Sequence, residues 1–349
     1  MNKTNEYKDY KKITEVRNAN EFLQEQDEKC LVIYSKTAVT NNNIDISNKN
    51  FKTFSTKELS KEKAFLDQKF KTLNYKRIIS IGGGSAMDMG KYLSSKFHVE
   101  LVVIPTMLST NAYATNKVAL RVENQVQSLD ATTPSKIILD PVLLKNSKTM
   151  NLYGLIDIFS IYTALNDWTL AIKYNQEEKH KAYNQAKKIL DETIHFVWQN
   201  ESIDIGESIE FIYRMIGESG LITNEFGCGK PESGSEHIFA KGLEKEMDVP
   251  HAVSVTNGMY LMMLAQEKIM KSKKQKEQSE NVRKTLLKLG MPQLNKKYNI
   301  TFNTIEKILL NLKPREDRFT VVNLIKDDMN MKKEILGEYK TMMKEWVDE

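Results

Sequence analysis

Short runs of aliphatic and β-branched residues alternate with helical periodicities through the first half of the chain. Leu31-Val32-Ile33-Tyr34 predicts a strand, the polar stretch from Thr40 to Asn50 a loop, and Phe51 to Phe54 a second short strand. Leu59, Phe65, Leu66, Phe70 and Leu73 recur at roughly helical spacing between Ser55 and Tyr75. Arg77 to Ile81 predicts a strand halted by three glycines, Asp88 to Phe97 a helix, and Leu101 to Ile104 a strand stopped by Pro105. A hairpin is expected between Lys117 and Gln127, and a last strand at Lys136 to Pro141. Strands this rich in Val and Ile, alternating with helices, predict a parallel sheet covered on both faces. Beyond residue 150 the strand pattern fades. Helices are expected at Gly154 to Tyr174, Glu177 to Trp198, Gly206 to Asn224, His251 to Met270, Glu277 to Leu289 and Met329 to Trp346. The pattern therefore predicts an α/β domain over residues 1–148 and an all-helical domain over residues 149–349.

A length of 349 residues agrees with two domains, since single cores seldom grow so large. Charged residues make up 28% of the chain, but 51 basic side chains stand against 46 acidic ones, a mixed surface and no nucleic-acid footprint. The two cysteines, Cys30 and Cys228, form no CxxC or disulfide framework, which favours a reducing compartment. The first residues, MNKTNEYKDYKK, contain no apolar leader core, and no apolar stretch approaches the length of a membrane span. A soluble cytoplasmic protein is expected.

Ile81-Gly82-Gly83-Gly84-Ser85 runs from strand into turn. Glycines there permit positive φ and let the backbone approach an anion, and the following helix points its N–H groups at the same place. Neither the usual GxGxxG nor the Walker A spacing is met. A tight strand-to-helix connection without a ligand is the alternative. A second loop, Pro105 to Asn111, offers Thr106 and Ser109 at the end of the next strand.

Of five histidines, His180 and His195 sit among charged or amphipathic helical residues, and His98 is expected to begin a strand. His237 and His251, fourteen positions apart, are each expected at the start of a helix. Asp157 lies among Leu155, Ile156, Ile158 and Phe159, where a charge is costly unless paired or metal-bound. Two imidazoles and one carboxylate would leave a coordination position open, as a catalytic zinc requires. The alternative is a capped or ion-paired Asp157 with two core histidines.

In order along the chain, these segments resemble the superfamily of iron-containing alcohol dehydrogenases, glycerol dehydrogenase and dehydroquinate synthase. They are Ile81–Ser85 with Asp88 and Lys91, Ile104-Pro105-Thr106 with Ser109, Gly154–Asp157 with Asp167-Trp168, Ser233–His237, and His251. The Asp-Trp pair and Ser-Gly-Ser-Glu-His are most similar to the sn-glycerol-1-phosphate dehydrogenase branch. The resemblance implies a Rossmann-like domain binding NAD or NADP through Gly82, Gly83, Gly84, Ser85, Asp88, Thr106, Ser109 and Thr115. It implies a helical domain and a divalent metal, zinc or iron, held by Asp157, His237 and His251 in the cleft between the domains. Asn111, Lys241 and Lys230 are expected to face a small polyol phosphate or ketone, and a homo-oligomer is implied.

The chain departs from the family pattern at four places. Asn111 stands where the glycerol branches carry an Asp, and Lys241 replaces a second His four residues after the ligand. His251-Ala252 replaces His-Gly. The segment Ser35 to Asn50 is short and Asn-rich, with Ser35 rather than an acid after Tyr34. Two other readings stay open: a sugar-phosphate cyclase like dehydroquinate synthase, and a non-catalytic dinucleotide-binding relative.

Overall fold

A computed structural model describes residues 7–123, 125–200, 204, 206–290 and 293–347. The chain forms two compact units. One holds the described residues up to Gly154 and the returning segment Asp204–Gly227; the other holds those of 155–203 and 228–349. The N-terminal stretch read for a leader lies partly outside the described residues.

The first unit is built on six parallel strands: β1 (Thr14–Val16), β2 (Cys30–Tyr34), β3 (Phe51–Ser55), β4 (Arg77–Gly82), β5 (Glu100–Pro105) and, after a separate antiparallel hairpin of β6 (Lys117–Val122) and β7 (Gln125–Asp130), β8 (Lys136–Leu139). The sheet order is β1-β8-β5-β4-β2-β3. Four successive residues of β2 and five each of β4 and β5 are buried, as expected for strands covered on both faces. Val32, Ile79, Ile81, Val102, Ile104 and Ile138 pack with Phe22, Leu23 and Leu143 into one core cluster. Each such buried side chain contributes about 1.5–3 kcal/mol.

The chain leaves β2 toward β3 and leaves β4 in the opposite direction toward β5. The strand order therefore reverses between β2 and β4, and ligands of open α/β sheets bind at such a point. Gly82 and Ser35, at the carboxyl ends of these two strands, mark it.

Several expectations are corrected. Thr40 and Asn41 do not start a loop but finish a short helix, Lys36–Asn41, whose first turn is capped by Ser35 Oγ accepting from Ala38 N at 3.4 Å. Helix between Ser55 and Tyr75 is confined to Lys63–Lys69, because Glu58 closes a turn by accepting from Ser55 N at 2.6 Å. His98 does not begin a strand. It ends the helix Gly84–Phe97 in the left-handed conformation, φ 54°, with its N–H bonded to Ser94 O. His180 caps the helix Lys181–Gln199 by accepting from Ala182 N at 3.1 Å.

The helix Ile209–Phe226 returns to the first unit. Tyr213 stacks on Tyr113 with ring centroids 4.8 Å apart, and Tyr10 meets both rings edge-on. Asn224 accepts from Asn116 N and donates to Ala114 O.

Among its described residues the second unit has helices joined by loops and no strand. Its centre is the pair Ser235–Glu246 and His251–Met270. A Cβ at Gly258 would stand 2.3 Å from Glu236 O, so this glycine permits the close approach of the two helices. Asp167, in the helix Lys148–Lys173, accepts from Ser235 N at 2.6 Å and Val321 N at 2.9 Å, which caps two helix starts with one carboxylate. Trp168 donates its indole N–H to Glu178 O at 3.1 Å.

Candidate functional site

In the first unit, β4 ends on Gly82 with φ 142°, a conformation that favours glycine. A Cβ there would also press to 3.0 Å from Ser35 Cβ. Gly83 caps the helix Gly84–Phe97 with no side-chain cap hydrogen bond to its first N–H groups, which suits a diphosphate. Ser85 is exposed in the first helical turn. Thr106 N donates to Gly82 O at 3.2 Å, and the fully buried Thr106 Oγ1 has no hydrogen-bond partner among the described residues. Thr110 Oγ1 would lie 3.1 Å from a Cβ at Gly84, and Ser109 is half-buried in the same loop. Gly82, Gly83, Gly84, Ser85, Thr106 and Ser109 are thus gathered at the switch point.

Asp88 and Thr115 are placed differently. Asp88 lies between Lys61, at 3.1 Å, and Lys91, at 3.8 Å. Burial pushes the Lys91 ammonium down to about 8, and it donates to Thr115 O at 3.1 Å and Lys117 O at 2.5 Å. The Thr115 hydroxyl donates to Asn224 Oδ1 at 3.2 Å. Asn111 opens a short 3-10 turn and donates to Ser219 Oγ at 3.3 Å.

In the second unit, Asp157, His237 and His251 converge. Asp157 Oδ1 lies 3.8 Å from His237 Nε2 and 3.9 Å from His251 Nε2. One ligand atom from each residue fits within 4.8 Å of the others. Ligands on one tetrahedral ion, with bonds of about 2.0–2.2 Å, sit about 3.4 Å apart, so little closure is needed. Asp157 Oδ1 is buried and accepts no hydrogen bond among the described residues, as expected of an oxygen meant for a cation. The donor set of two imidazoles and one carboxylate fits zinc or ferrous iron. Desolvation opposes the proton on His251, but the hydrogen bond to Glu244 and the charge of Asp157 outweigh it and push the imidazole up to about 9. A metal there competes with that proton.

Lys241 lies four residues after His237, on the same helix face. Desolvation and then the guanidinium groups of Arg315 and Arg318 hold its ammonium below the usual lysine value. Lys230 forms an ion pair with Glu177 and lies 5.8 Å from the centre of the Trp168 ring.

Glu236, Glu244, Arg315 and Arg318 have roles that their own segments did not signal clearly. Glu236 and Glu244 each accept from a histidine of the triad. Arg318 is buried, donates to Ser233 O and Oγ, and keeps Nε without a hydrogen-bond partner among the described residues. A carboxylate directly before His237, and one two helical turns after it, were the available signals.

Residues 13–147 match the family described as iron-containing alcohol dehydrogenase. A glycerol-1-phosphate dehydrogenase [NAD(P)+] of Methanococcus aeolicus is 27% identical over 260 residues, covering 71% of this chain and 74% of that protein. The enzyme of the same description from Pyrococcus abyssi is 26% identical over 263 residues, covering 74% and 73%. Among solved structures, a probable glycerol dehydrogenase from Sinorhizobium meliloti superposes with a TM-score of 0.66 at 14% identity, over 93% of this chain and 94% of that one. An iron-containing alcohol dehydrogenase from Thermotoga maritima gives 0.60 at 14% identity, over 95% and 99%. The fold is that of these dehydrogenases, a Rossmann-like sheet domain followed by a helical one. The resemblance carried by the ordered motifs is borne out: residues 13–147 match the iron-containing alcohol dehydrogenase family, and glycerol-1-phosphate dehydrogenases are among the curated proteins similar to the chain.

Proposed function

We propose that this chain is a metal-dependent, NAD(P)-linked oxidoreductase that interconverts a small ketone and its secondary alcohol, with a polyol phosphate of the glycerol-1-phosphate type as substrate. The convergence of Asp157 Oδ1 with the two Nε2 atoms of His237 and His251 carries this reading. A divalent ion held by Asp157, His237 and His251 would supply Lewis-acid polarisation of a carbonyl oxygen. NAD(P)H supplies the hydride, so ketone, NAD(P)H and one proton balance against alcohol and NAD(P)+.

The chain's own residues bind and orient. Gly82, Gly83 and Gly84 let the backbone reach a diphosphate, and Ser85, Thr106 and Ser109 line the same turn. Asp88 and Thr115 support the turn through the Lys91 network, one step back from the cofactor. Lys241, with Arg315 and Arg318, provides the positive field that favours a phosphorylated substrate. The family resemblance proposes Asn111 in the first unit and Lys230 in the second as substrate residues; Asn111 can donate a hydrogen bond but cannot take up a proton.

No helix among the described residues is long and apolar enough to cross a membrane. Both cysteines are free thiols, and a cytoplasmic site of action fits them.

The test combines metal analysis with NAD(P)H oxidation against dihydroxyacetone phosphate, dihydroxyacetone and glyceraldehyde 3-phosphate. His237→Ala and His251→Ala should lose both metal and turnover; unchanged metal content and rate in both would overturn the proposal. Phosphate release without net change in NADH absorbance would favour the cyclase chemistry instead. Dinucleotide binding with no turnover on any substrate would favour a non-catalytic relative.

A further inference from the structure

A neutral imidazole offers one lone pair, and the hydrogen bond at its other nitrogen decides which one. Both histidines of the triad are arranged alike. His237 Nδ1 lies 2.7 Å from Glu236 Oε1, and His251 Nδ1 lies 2.6 Å from Glu244 Oε1. An ionised carboxylate only accepts, so in the neutral form that can bind a metal each Nδ1 must carry the hydrogen and each Nε2 the lone pair. Those are the two nitrogens that face Asp157 Oδ1.

Glu236 is itself held as an acceptor. Its side chain is fully buried, Oε1 also receives Gly234 N at 2.6 Å, and Oε2 receives Thr163 Oγ1 at 2.6 Å. Glu244 is set from the opposite end of the same helix, two turns after His237, and reaches across to the first residue of the helix His251–Met270. Gly258, two turns after His251, lets the two helices pack closely.

We propose that Glu236 and Glu244 are the positioning residues of the metal centre, fixing His237 and His251 as Nε2 ligands and raising their basicity. The proposal rests on reading Asp157, His237 and His251 as the metal site, and the experiment separates the two. Zinc affinity is measured by competition with a chromophoric chelator, and the cobalt-loaded protein is followed by its visible d–d absorption, with thermal unfolding of the metal-free proteins in parallel.

Wild-type protein that takes up no zinc at one ion per chain would overturn the site itself. Given a wild type that binds, Glu244→Ala should weaken zinc by about 10- to 100-fold and alter the cobalt spectrum, while the melting temperature of the metal-free form stays unchanged, because Glu244 is a surface side chain. Glu244→Gln keeps an acceptor oxygen and should recover part of both signals. Glu236→Ala should lose a similar factor in affinity and also lower the melting temperature, since Gly234 N and Thr163 Oγ1 depend on it. Zinc affinity within twofold of wild type in Glu244→Ala, with an unchanged cobalt spectrum, would overturn the proposal.

Discussion

Asp167 should make the stability of the helical unit fall as pH rises through the weakly acidic range. Its carboxylate receives Ser235 N and Gln266 Nε2 at 2.6 and 3.0 Å and Val321 N at 2.9 Å, all of which favour the charge. Full burial and the neighbouring Glu236 oppose it more strongly, and the carboxyl is pushed up from 3.8 to about 6. Between these two values the folded protein keeps a proton that the unfolded chain releases. A raised carboxyl therefore stabilises the fold at low pH, and this contribution disappears as pH rises through about 6. The shift is 6 − 3.8, about two units, and at about 1.4 kcal/mol per unit the whole effect approaches about 3 kcal/mol. Between about pH 7.5 and about pH 5 the accessible part is about 1–2 kcal/mol.

Asp167→Asn cannot ionise and should lack this slope, although it loses one acceptor and starts from a lower stability. Urea unfolding followed by tryptophan fluorescence, at about pH 5 and about pH 7.5, measures the difference between wild type and variant at each pH, so that titrations common to both cancel. On acidification the wild type should gain about 1–2 kcal/mol relative to the variant. A difference that stays constant within about 0.5 kcal/mol would refute the reasoning, because Asp167 would then be ionised with an ordinary affinity for its proton.

Gly258→Ala would place a methyl 2.3 Å from Glu236 O. It should cost about 1–3 kcal/mol in urea unfolding and also weaken zinc binding in the chelator competition, as the helices bearing His237 and His251 move apart. Gly82→Ala combines φ 142° with a 3.0 Å approach to Ser35 Cβ, and should reduce dinucleotide affinity in an NADH fluorescence titration. Lys241→Ala should raise KM for dihydroxyacetone phosphate about tenfold or more, the worth of one charged hydrogen bond, and leave KM for dihydroxyacetone unchanged. Equal effects on the two substrates would remove the phosphate-binding role.

What could be read from the sequence follows from how local each cause is. The strands β2, β4, β5 and β8 were legible because a strand buried on both faces needs a continuous apolar run, and each has one. β1 has only Thr14, Glu15 and Val16 at the sheet edge, with no run to see. The glycine turn was legible because the need for positive φ is intrinsic to Gly82. His237 and His251 stood out because both open helices, a local pattern. The partners of those groups were not visible, because long-range packing decides them. Ile209–Phe226 reads as an amphipathic helix of either unit until Gly217 is seen against the Tyr10 ring. Asp167 reads as half of a family motif until Ser235 N and Val321 N arrive on it from remote parts of the chain. Glu244 reads as one more charged residue on an exposed helical face until Gly258 lets the neighbouring helix close in and set His251 against it. The chemistry of a ligand can thus be named from its own segment, but the tautomer of His251 is set by a carboxylate on the neighbouring helix.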